Sequence, residues 1–431
     1  MGSTSLVYTA LESWETRLLK VHPGLHGDDI ITDMSVAVVT FEKGLGIALE
    51  HRNVEYNALS YAWGGDHLPL QDIICNEARV QVRQNLADAL QELRDNAKAI
   101  YLWVDALCIN QDNPEEKAAQ IRNMKLIYGL ANTVVVWLGL PQDNTKYADW
   151  FLHRMGLEHF PGPLSNFEKS KVYSASRDES YEGREDRLNT KIKSCSASFV
   201  QETDQVTLNR TMQGLLELAL RPWLRRVWVM QEIYAARHNI VRCGSHRLNW
   251  FAFSRLDSIA LILANTVRTR ADSSRIDNSN GPPRSTRSAD LALNEISGSI
   301  KQLVTTTNST LSSITGLGST STNTMGAIKE SLSFLRVARR RREKPDDLDD
   351  NPALSVLELL IRGSHLQASD PRDKIYALLG FSSVPTFYGP GDYTGHEGIR
   401  IDYNISTLPQ TSTSRFGVLT GGIAIHALVF N

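Results

Sequence analysis

The fold is decided by the stretch AIYLWVDALCINQDNPEEKAAQIRNMKLIYGLANTVVVWLG, which runs from Ala99 to Gly139. It begins with IYLWV and ends with TVVVWLG, two apolar runs typical of strands that are covered on both faces. Between them, Asn113 stands where a helix cap is expected and Pro114 at the first helical position. This order predicts two parallel strands joined by a crossover helix.

The segments before this stretch extend the same pattern. NALSYAWGG (57–65) predicts a short apolar strand closed by a glycine pair, and DIICNEARVQV (72–82) predicts two β-segments around a turn at Asn76 and Glu77. Asn85 is then expected to cap a helix through LADALQELRDN (86–96). The alternation of strands and helices predicts an α/β fold with a parallel, doubly wound sheet.

Polar side chains follow two of the predicted strands. Asp105 comes directly after IYLWV, and Trp63-Gly64-Gly65-Asp66 follows ALSY. In open α/β sheets, ligands bind outside the carboxyl ends of the strands, so these positions predict a pocket. An alternative stays open, in which Asp105 caps a turn and Asn110 and Gln111 satisfy loop backbone.

The rest of the chain divides by composition. Residues 141–206 have mixed charge and predict a surface insertion, whereas 268–326 are rich in Ser, Thr, Asn and Gly and predict a loosely ordered linker. Leu215–Ala236 is expected to be mostly helical with an interruption near Pro222. Residues 351–385 predict a helical segment.

Composition argues against several functional classes. The formal net charge of -2 gives no general attraction to nucleic acid or anionic lipid. The four cysteines have no metal or redox spacing, and GxGxxG, P-loop, HExxH and GxSxG motifs do not occur. We therefore expect no metal, no cofactor, no nucleic acid and no membrane span, and a cytoplasmic protein with buried free thiols.

The segment RPWLRRVWVMQEI (221–233) offers a second set of functional side chains. On a continuous helix, Arg225, Trp228 and Glu232 (or Gln231) would share one side. This face is either a packed tryptophan with a salt bridge or a carboxylate that faces the pocket. In the second case, Trp63 and Tyr61 could stack on a base or a nicotinamide ring. The carboxylate would then stabilise the oxocarbenium-like state of N-glycosidic cleavage, or orient the ribose hydroxyls.

These strings together resemble a known family. YNALSYAWGG, NLADALQELR, the opening stretch, RPWLRRVWVMQEI and ASDPRDKIYALLGF occur in the order found in the HET domain, the heterokaryon-incompatibility domain of filamentous fungi. The resemblance covers roughly residues 56–239 and 368–381. It implies a domain over 36–262, with core motifs at 56–139 and 220–243 around the variable insertion 141–206.

The resemblance implies a role in recognition between unlike strains and in cell death after hyphal fusion. HET domains look distantly similar to the TIR fold, which implies a flavodoxin-like, mostly parallel sheet flanked by helices, with helical insertions and a helical C-terminal part. Some TIR domains cleave NAD and others self-associate without catalysis. The expectation is therefore an effector with NAD glycohydrolase-like activity, or a non-catalytic homo-oligomeric module with an allelic incompatibility partner.

The family's marked positions can be carried over residue by residue. Asp105 and Glu232 are the expected catalytic carboxylates, while Tyr128 and Trp137 are expected in the core and Cys108 in the loop after the strand. The expected substrate-binding residues are Ser60, Tyr61, Trp63, Gly64, Gln111, Arg226, Trp228 and Gln231. Residues 386–431 depart from the family pattern, which suggests a truncated or mis-spliced end and, as a third alternative, an inactive family member.

Overall fold

The computed structural model describes residues 6–12, 14–40, 46–49, 52–64, 69–156, 181–277, 326, 328–336, 359, 362–379, 386–387, 399–400 and 403. The chain divides into two compact units. The first unit comprises residues 1–139, 225–240 and 333–431, and the second comprises 140–224 and 241–332. The residues around Asp105 and Glu232 belong to the first unit.

The first unit is built on a mixed β-sheet. Its strands are β1 (Glu15–Val21), β2 (Ile31–Thr40), β3 (Gly46–Leu49), β4 (Arg52–Asn53), β5 (Asn57–Tyr61), β6 (Leu70–Cys75), β7 (Ala78–Arg83), β8 (Ile100–Trp103) and β9 (Thr133–Trp137). They are ordered β9-β5-β8-β1-β2-β3-β4, with β6 paired to β2 and β7. The predicted α/β class is thereby confirmed.

The sequence suggested a mostly parallel sheet, but the observed sheet is mixed. β5 runs parallel to β8 and β9, and β2 runs parallel to β6. In contrast, β1 is antiparallel to both β8 and β2, and β3, β4 and β7 also make antiparallel pairs. The main difference is β1, which lies in the middle of the sheet. Its charged residues gave no sequence pattern of a buried strand.

The described helices are, in chain order, α1 (Gln84–Leu93), α2 (Asp105–Cys108), α3 (Pro114–Leu130), α4 (Thr145–Arg154), α5 (Tyr181–Glu202), α6 (Gln205–Ala219), α7 (Val229–Ala235), α8 (Trp250–Phe253), α9 (Leu256–Asp277) and α10 (Asp373–Leu379). Residues 328–336 are also helical, and Pro222–Arg225 form a 3₁₀ turn. Two short strands, β12 (Thr386–Phe387) and β13 (Ile399–Arg400), pair in parallel.

Local signals place α3 as predicted. The Asn113 side chain accepts hydrogen bonds from the backbone N–H groups of Glu115 and Glu116, both at 3.1 Å, and Pro114 opens the helix. Its buried face contains Ile121, Met124, Ile127 and Tyr128. The crossover between β8 and β9 therefore follows directly from the opening stretch.

The prediction for α1 is wrong at its start, because Arg83 and not Asn85 is the cap residue. Asn85 lies inside the helix, where its side chain donates to the Ala62 carbonyl at 2.7 Å and accepts from the Trp137 indole at 2.9 Å. Asn85 therefore ties the end of β5 to the end of β9. The turn between β6 and β7 is confirmed, since Asn76 and Glu77 have φ of 50° and 64°.

The second unit is mainly helical. α4 packs against α6, and α9 packs against α5 and α6. The hairpin of β10 (Asn239–Cys243) and β11 (His246–Leu248) pairs Val241 with Leu248. α9 continues to Asp277, so residues 268–277 of the predicted linker are helical, while residues 278–325 lie outside the described part of the chain.

Most of the predicted C-terminal features also lie outside the described residues, including 337–358 and 404–431. Within the predicted helical segment 351–385, the described residues include α10. Within the described residues, no helix is long and apolar enough to cross a membrane. The same residues contain no group of three or more His, Cys, Asp or Glu side chains that could hold a metal ion.

Candidate functional site

The parallel strands bring two predicted side chains together. β5 and β8 are in register at Ala58 and Trp103, so their carboxyl ends lie at the same edge of the sheet. There the Trp63 indole N–H donates to Asp105 Oδ2 at 2.9 Å. Asp105 Oδ1 accepts the backbone N–H of Ala106 at 2.8 Å. The polar end of β8 is thus joined to the residues that follow β5.

Glu232 joins this group through Arg226. The Arg226 guanidinium places Nη1 3.4 Å from Glu232 Oε1 and Nη2 3.8 Å from Asp105 Oδ2. The Ser60 hydroxyl donates a hydrogen bond to Glu232 Oε2. We call Ser60, Trp63, Asp105, Arg226 and Glu232 the carboxylate cluster. It combines two acids with one shared cation at the carboxyl edge of the sheet.

The members of the cluster differ in their exposure to solvent. Glu232 is 0% exposed and Asp105 is 7% exposed, whereas the Arg226 side chain is 17% exposed. Trp63 is half-buried and Gly64, with a φ of 81°, is exposed. A glycine adopts such a φ without steric cost. Ligand access is therefore expected from the side of Trp63 and Arg226.

Burial raises the pKa of both cluster carboxyl groups. For Asp105, desolvation outweighs the opposing effects of Arg226 and of the Trp63 indole. For Glu232, desolvation likewise outweighs Arg226 and the Ser60 hydrogen bond. Burial would lower the pKa of Arg226, but Glu232 and Asp105 raise it above its ordinary value. Arg226 therefore stays charged, while the acids hold protons to higher pH than in water.

The predicted face of Arg225, Trp228 and Glu232 is wrong. Arg225 ends the 3₁₀ turn and Trp228 is the cap residue of α7, so no continuous helix joins them. The Trp228 indole instead donates to Asp373 Oδ2 at 3.1 Å. The helical phase is broken at residues 226–228, between the 3₁₀ turn and α7, and it is Arg226 that contacts the carboxylates.

The remaining predicted site residues lie around the cluster. Tyr61 is enclosed, and its hydroxyl is close enough to favour the ionised form of Asp105. Gln111 Nε2 donates to the Asp105 backbone carbonyl at 3.0 Å and so supports the end of β8. Gln231 is buried, and its Oε1 finds no hydrogen-bond partner in the described part of the chain.

Three other marked residues have packing roles. Tyr128 and Trp137 are fully buried, as predicted for core residues. The Tyr128 hydroxyl donates to the Leu59 carbonyl at 3.1 Å, and its ring meets Trp103 edge-on at 5.3 Å. Burial raises the pKa of the Cys108 thiol to about 12, so Cys108 stays protonated at neutral pH.

Residues that sequence reasoning missed support the cluster from outside. Arg17 on β1 is buried, pairs with Glu116 at 2.6 Å and donates to the Cys108 carbonyl at 2.9 Å. It thereby holds α2, which begins at Asp105. No spacing pattern indicated Arg17, because a charged residue in a strand normally predicts an exposed face.

Comparison with known proteins places the cluster inside a recognised region. Residues 56–232 match the family model described as heterokaryon incompatibility protein (HET). We call these residues the HET-matched region. They contain every member of the carboxylate cluster, from Ser60 to Glu232. The resemblance to this family that the motifs indicate is confirmed over this part of the chain.

A curated relative supports the same family. The chain is 28% identical over 248 residues to "Heterokaryon incompatibility protein 6, OR allele" from Neurospora crassa. The alignment covers 54% of this chain and 33% of the relative, so the chain spans about a third of that protein. No solved structure gives a significant match.

Proposed function

We propose that this chain acts in heterokaryon incompatibility and that its carboxylate cluster hydrolyses the N-glycosidic bond of NAD or a related nucleotide. The role rests on the match of residues 56–232 and on the Neurospora relative. The activity rests on one observation, the pair of buried acids that share Arg226 at the carboxyl edge of the sheet. Death of fused cells would follow from loss of NAD.

The strand order supports a nucleotide site. The parallel strands are arranged β8-β5-β9, so the first strand of the three lies between the second and the third. Flavodoxin-like sheets begin with the same order and bind ligands where the connections diverge, at the carboxyl ends of the strands. The proposed TIR likeness rests on this order and on the position of the cluster.

The charge of the cluster suits a substrate with a cationic ring, such as the nicotinamide of NAD. With both acids ionised, two negative charges and one positive charge leave a net negative charge beside the site. In NAD the bond from ribose C1′ to the nicotinamide nitrogen breaks, and its electron pair neutralises the pyridinium ring. Water adds to C1′ and loses a proton to one carboxylate, which acts as general base. The developing oxocarbenium ion is stabilised by the same negative charge.

The half-buried Trp63 is the proposed stacking surface for a base or nicotinamide ring. Arg226, which is partly exposed, would contact the phosphate or ribose side. Ser60 donates a hydrogen bond to Glu232, and Gln231 precedes Glu232 in α7, so these two residues would act by holding Glu232 and α7 in place. Gly64, Trp228 and Gln111 would shape the approach to the cluster.

A second function has its own supporting observation. All four carboxylate oxygens of Asp105 and Glu232 already face protein groups, namely Ala106 N–H, Trp63, Arg226 and Ser60. Such a satisfied network is also what a packing role requires. We therefore keep as the alternative a non-catalytic module, acting in the cytoplasm, that signals by assembling with itself or with an allelic partner, and a decayed member as the third.

The test is intracellular NAD after induced expression of the full chain in budding yeast. We expect wild-type protein to lower NAD before viability falls, and Glu232→Gln to abolish the effect. Loss of a catalytic acid typically costs about 10²-fold or more in rate. The matched control is Glu217→Gln, because Glu217 is also a buried acid with a raised pKa but belongs to the second unit. This control should retain NAD loss.

The outcomes separate the candidates when expression levels are matched by immunoblot. Death with NAD intact in all variants would contradict the enzymatic proposal and favour assembly. NAD loss that survives Glu232→Gln would remove Glu232 from the chemistry. Equal loss of effect in Glu217→Gln and Glu232→Gln would point to general destabilisation instead.

A further inference from the structure

A segment outside the HET-matched region is hydrogen-bonded to the residues that flank Arg226. The Gln367 N–H donates to the Arg225 carbonyl at 2.5 Å, and the Gln367 carbonyl accepts the Val227 N–H at 3.0 Å. These bonds make a parallel β-bridge between Arg226 and Gln367. Because Arg226 lies between the 3₁₀ turn and α7, bonds to this second segment fix its backbone.

The same segment also binds Trp228, which lies two residues after Arg226. Asp373, at the start of α10, is buried and accepts the Trp228 indole N–H at 3.1 Å. Its other oxygen accepts the Tyr403 hydroxyl at 2.5 Å. Arg372 Nη1 donates to the Tyr403 carbonyl at 2.7 Å, which gives Tyr403 a second hydrogen bond to this segment. Trp228 is thus anchored two residues after Arg226.

We propose that Gln367 and Asp373 are positioning residues, which hold the Arg226 guanidinium between Asp105 and Glu232. The proposal deepens the proposed function, since it concerns the same site, and it assigns part of that site to residues beyond the HET-matched region. Arg226 contacts the acids at 3.4 and 3.8 Å, near the limit of an ion pair. A backbone shift of about 1 Å would therefore separate them, and misplacement of that size can cost about 10²-fold in rate.

The NMR signal of Trp63 can report the position of Arg226 in a measurement that needs no catalytic activity. Its indole N–H donates to Asp105 Oδ2, the same oxygen that Arg226 Nη2 approaches. In protein labelled with 5-fluorotryptophan, ¹⁹F NMR gives one resonance for each tryptophan. Replacement by phenylalanine assigns the resonances of Trp63, Trp228 and Trp150. Trp150 belongs to the second unit and serves as the internal control.

Two matched pairs of variants test the proposal in the full chain. Gln367→Pro removes the N–H that bonds to Arg225, whereas Gln367→Ala keeps both backbone bonds. Asp373→Ala removes the acceptor of Trp228, whereas Asp373→Asn keeps an oxygen there. We expect Gln367→Pro and Asp373→Ala to move the Trp63 resonance by more than its linewidth, toward its position in Arg226→Gln. Gln367→Ala should leave it in place, and Asp373→Asn should restore most of the wild-type position.

A Trp63 resonance that stays in place in Asp373→Ala, while that of Trp228 moves, would overturn the proposal. Equal movement of Trp150 would overturn it too, because the change would then be general loosening. If Gln367→Pro does not fold, the Asp373 pair decides. Since the readout needs no substrate, failure of the NAD assay leaves this result unaffected, and the two proposals can fail separately.

Discussion

Glu232 shows how one residue combines structural and chemical demands. A fully enclosed carboxylate is costly unless its oxygens are paired, and Arg226 and Ser60 provide that pairing. Yet the pairing does not cancel the desolvation, since the pKa of Glu232 remains raised. A proton-accepting group held in this balance is typical of functional sites, although structural ion-pair networks show it too.

The raised pKa of Glu232 predicts a pH dependence of stability. In the unfolded chain, Glu232 loses its proton near the ordinary pKa of 4.5, whereas in the folded chain it keeps the proton to higher pH. Between these two pKa values the folded state therefore binds more protons. The free energy of unfolding then falls as pH rises through the folded pKa, by about 1.4 kcal/mol per pH unit for one carboxyl. Glu232→Gln has no such group. Urea unfolding between pH 4.5 and 8 should show the variant's stability deficit shrinking as pH rises.

Asp95→Asn supplies a control, because the pKa of Asp95 is shifted in the opposite direction to that of Glu232. Hydrogen bonds from the backbone N–H groups of Ala97 and Lys98 lower the pKa of Asp95, so its contribution to stability appears as pH rises. This contribution is complete above the ordinary value of 3.8, so the deficit of Asp95→Asn should stay constant between about pH 4.5 and 8 and shrink only in more acidic solution. A deficit for Glu232→Gln that likewise stays constant, or that grows with pH, would show that its folded-state pKa is not raised.

At the scale of the residue, sequence predicts some positions in the cluster better than others. Asp105 and Trp63 could be found because each follows an apolar strand, and parallel strands place their ends together. Helical spacing could not show that Arg226, and not Arg225, contacts the two carboxylates. Pro222 breaks the helix, and the phase after a 3₁₀ turn depends on tertiary bonds such as that from Val227 to Gln367.

At the scale of the element, β1 shows where pattern reasoning fails. The stretch ETRLLKV contains three charged residues, yet Arg17, Leu18 and Leu19 are all buried. Arg17 is tolerated inside because Glu116 and the Cys108 carbonyl satisfy it. That compensation comes from residues about a hundred positions away, so no local window contains the signal. β5, β8 and β9 were predictable because they are almost wholly apolar.

The β6–β7 hairpin carries a testable local strain. Glu77 has a φ of 64°, a conformation that costs an L-residue about 1–2 kcal/mol and that glycine adopts freely. Asn76 tolerates the same region, and its side chain also accepts the Met34 N–H at 2.8 Å. Glu77→Gly should therefore raise the free energy of unfolding by about 0.5–1 kcal/mol in urea denaturation, because the gain is partly offset by unfolded-state entropy.

The neighbouring strand position provides the matched control. Ala78 is buried and extended, so Ala78→Gly should lower stability by about 0.5–1 kcal/mol. A loss of stability in Glu77→Gly comparable to that in Ala78→Gly would argue against a two-residue turn of left-handed conformation at this place.

At the scale of the whole molecule, the family match and the folded unit have different boundaries. The HET-matched region begins at residue 56 and ends at 232. The first unit also includes β1, β2 and the segment that carries Gln367 and Asp373. Its sheet is therefore completed by strands that the family model does not cover, and the backbone of Arg226 is bridged to Gln367, which also lies outside the match.

This difference predicts that residues 56–232 alone do not fold cooperatively. Without β1 the fragment loses the fully buried Leu18, Leu19 and Val21, each worth about 1.5–3 kcal/mol, and leaves β8 with an unpaired edge. Such losses are comparable with the whole stability of a domain, about 5–15 kcal/mol.

Circular dichroism during heating and binding of a hydrophobic dye should reveal a non-cooperative, dye-binding fragment beside a cooperative full chain. Leu19→Ala in the full chain is the control, since it should cost about 2–5 kcal/mol but keep the cooperative transition. A sharp melting transition of the 56–232 fragment would mean that β1 and the Gln367 segment are additions to a complete domain. The positioning of Arg226 would then have to come from within the HET-matched region itself.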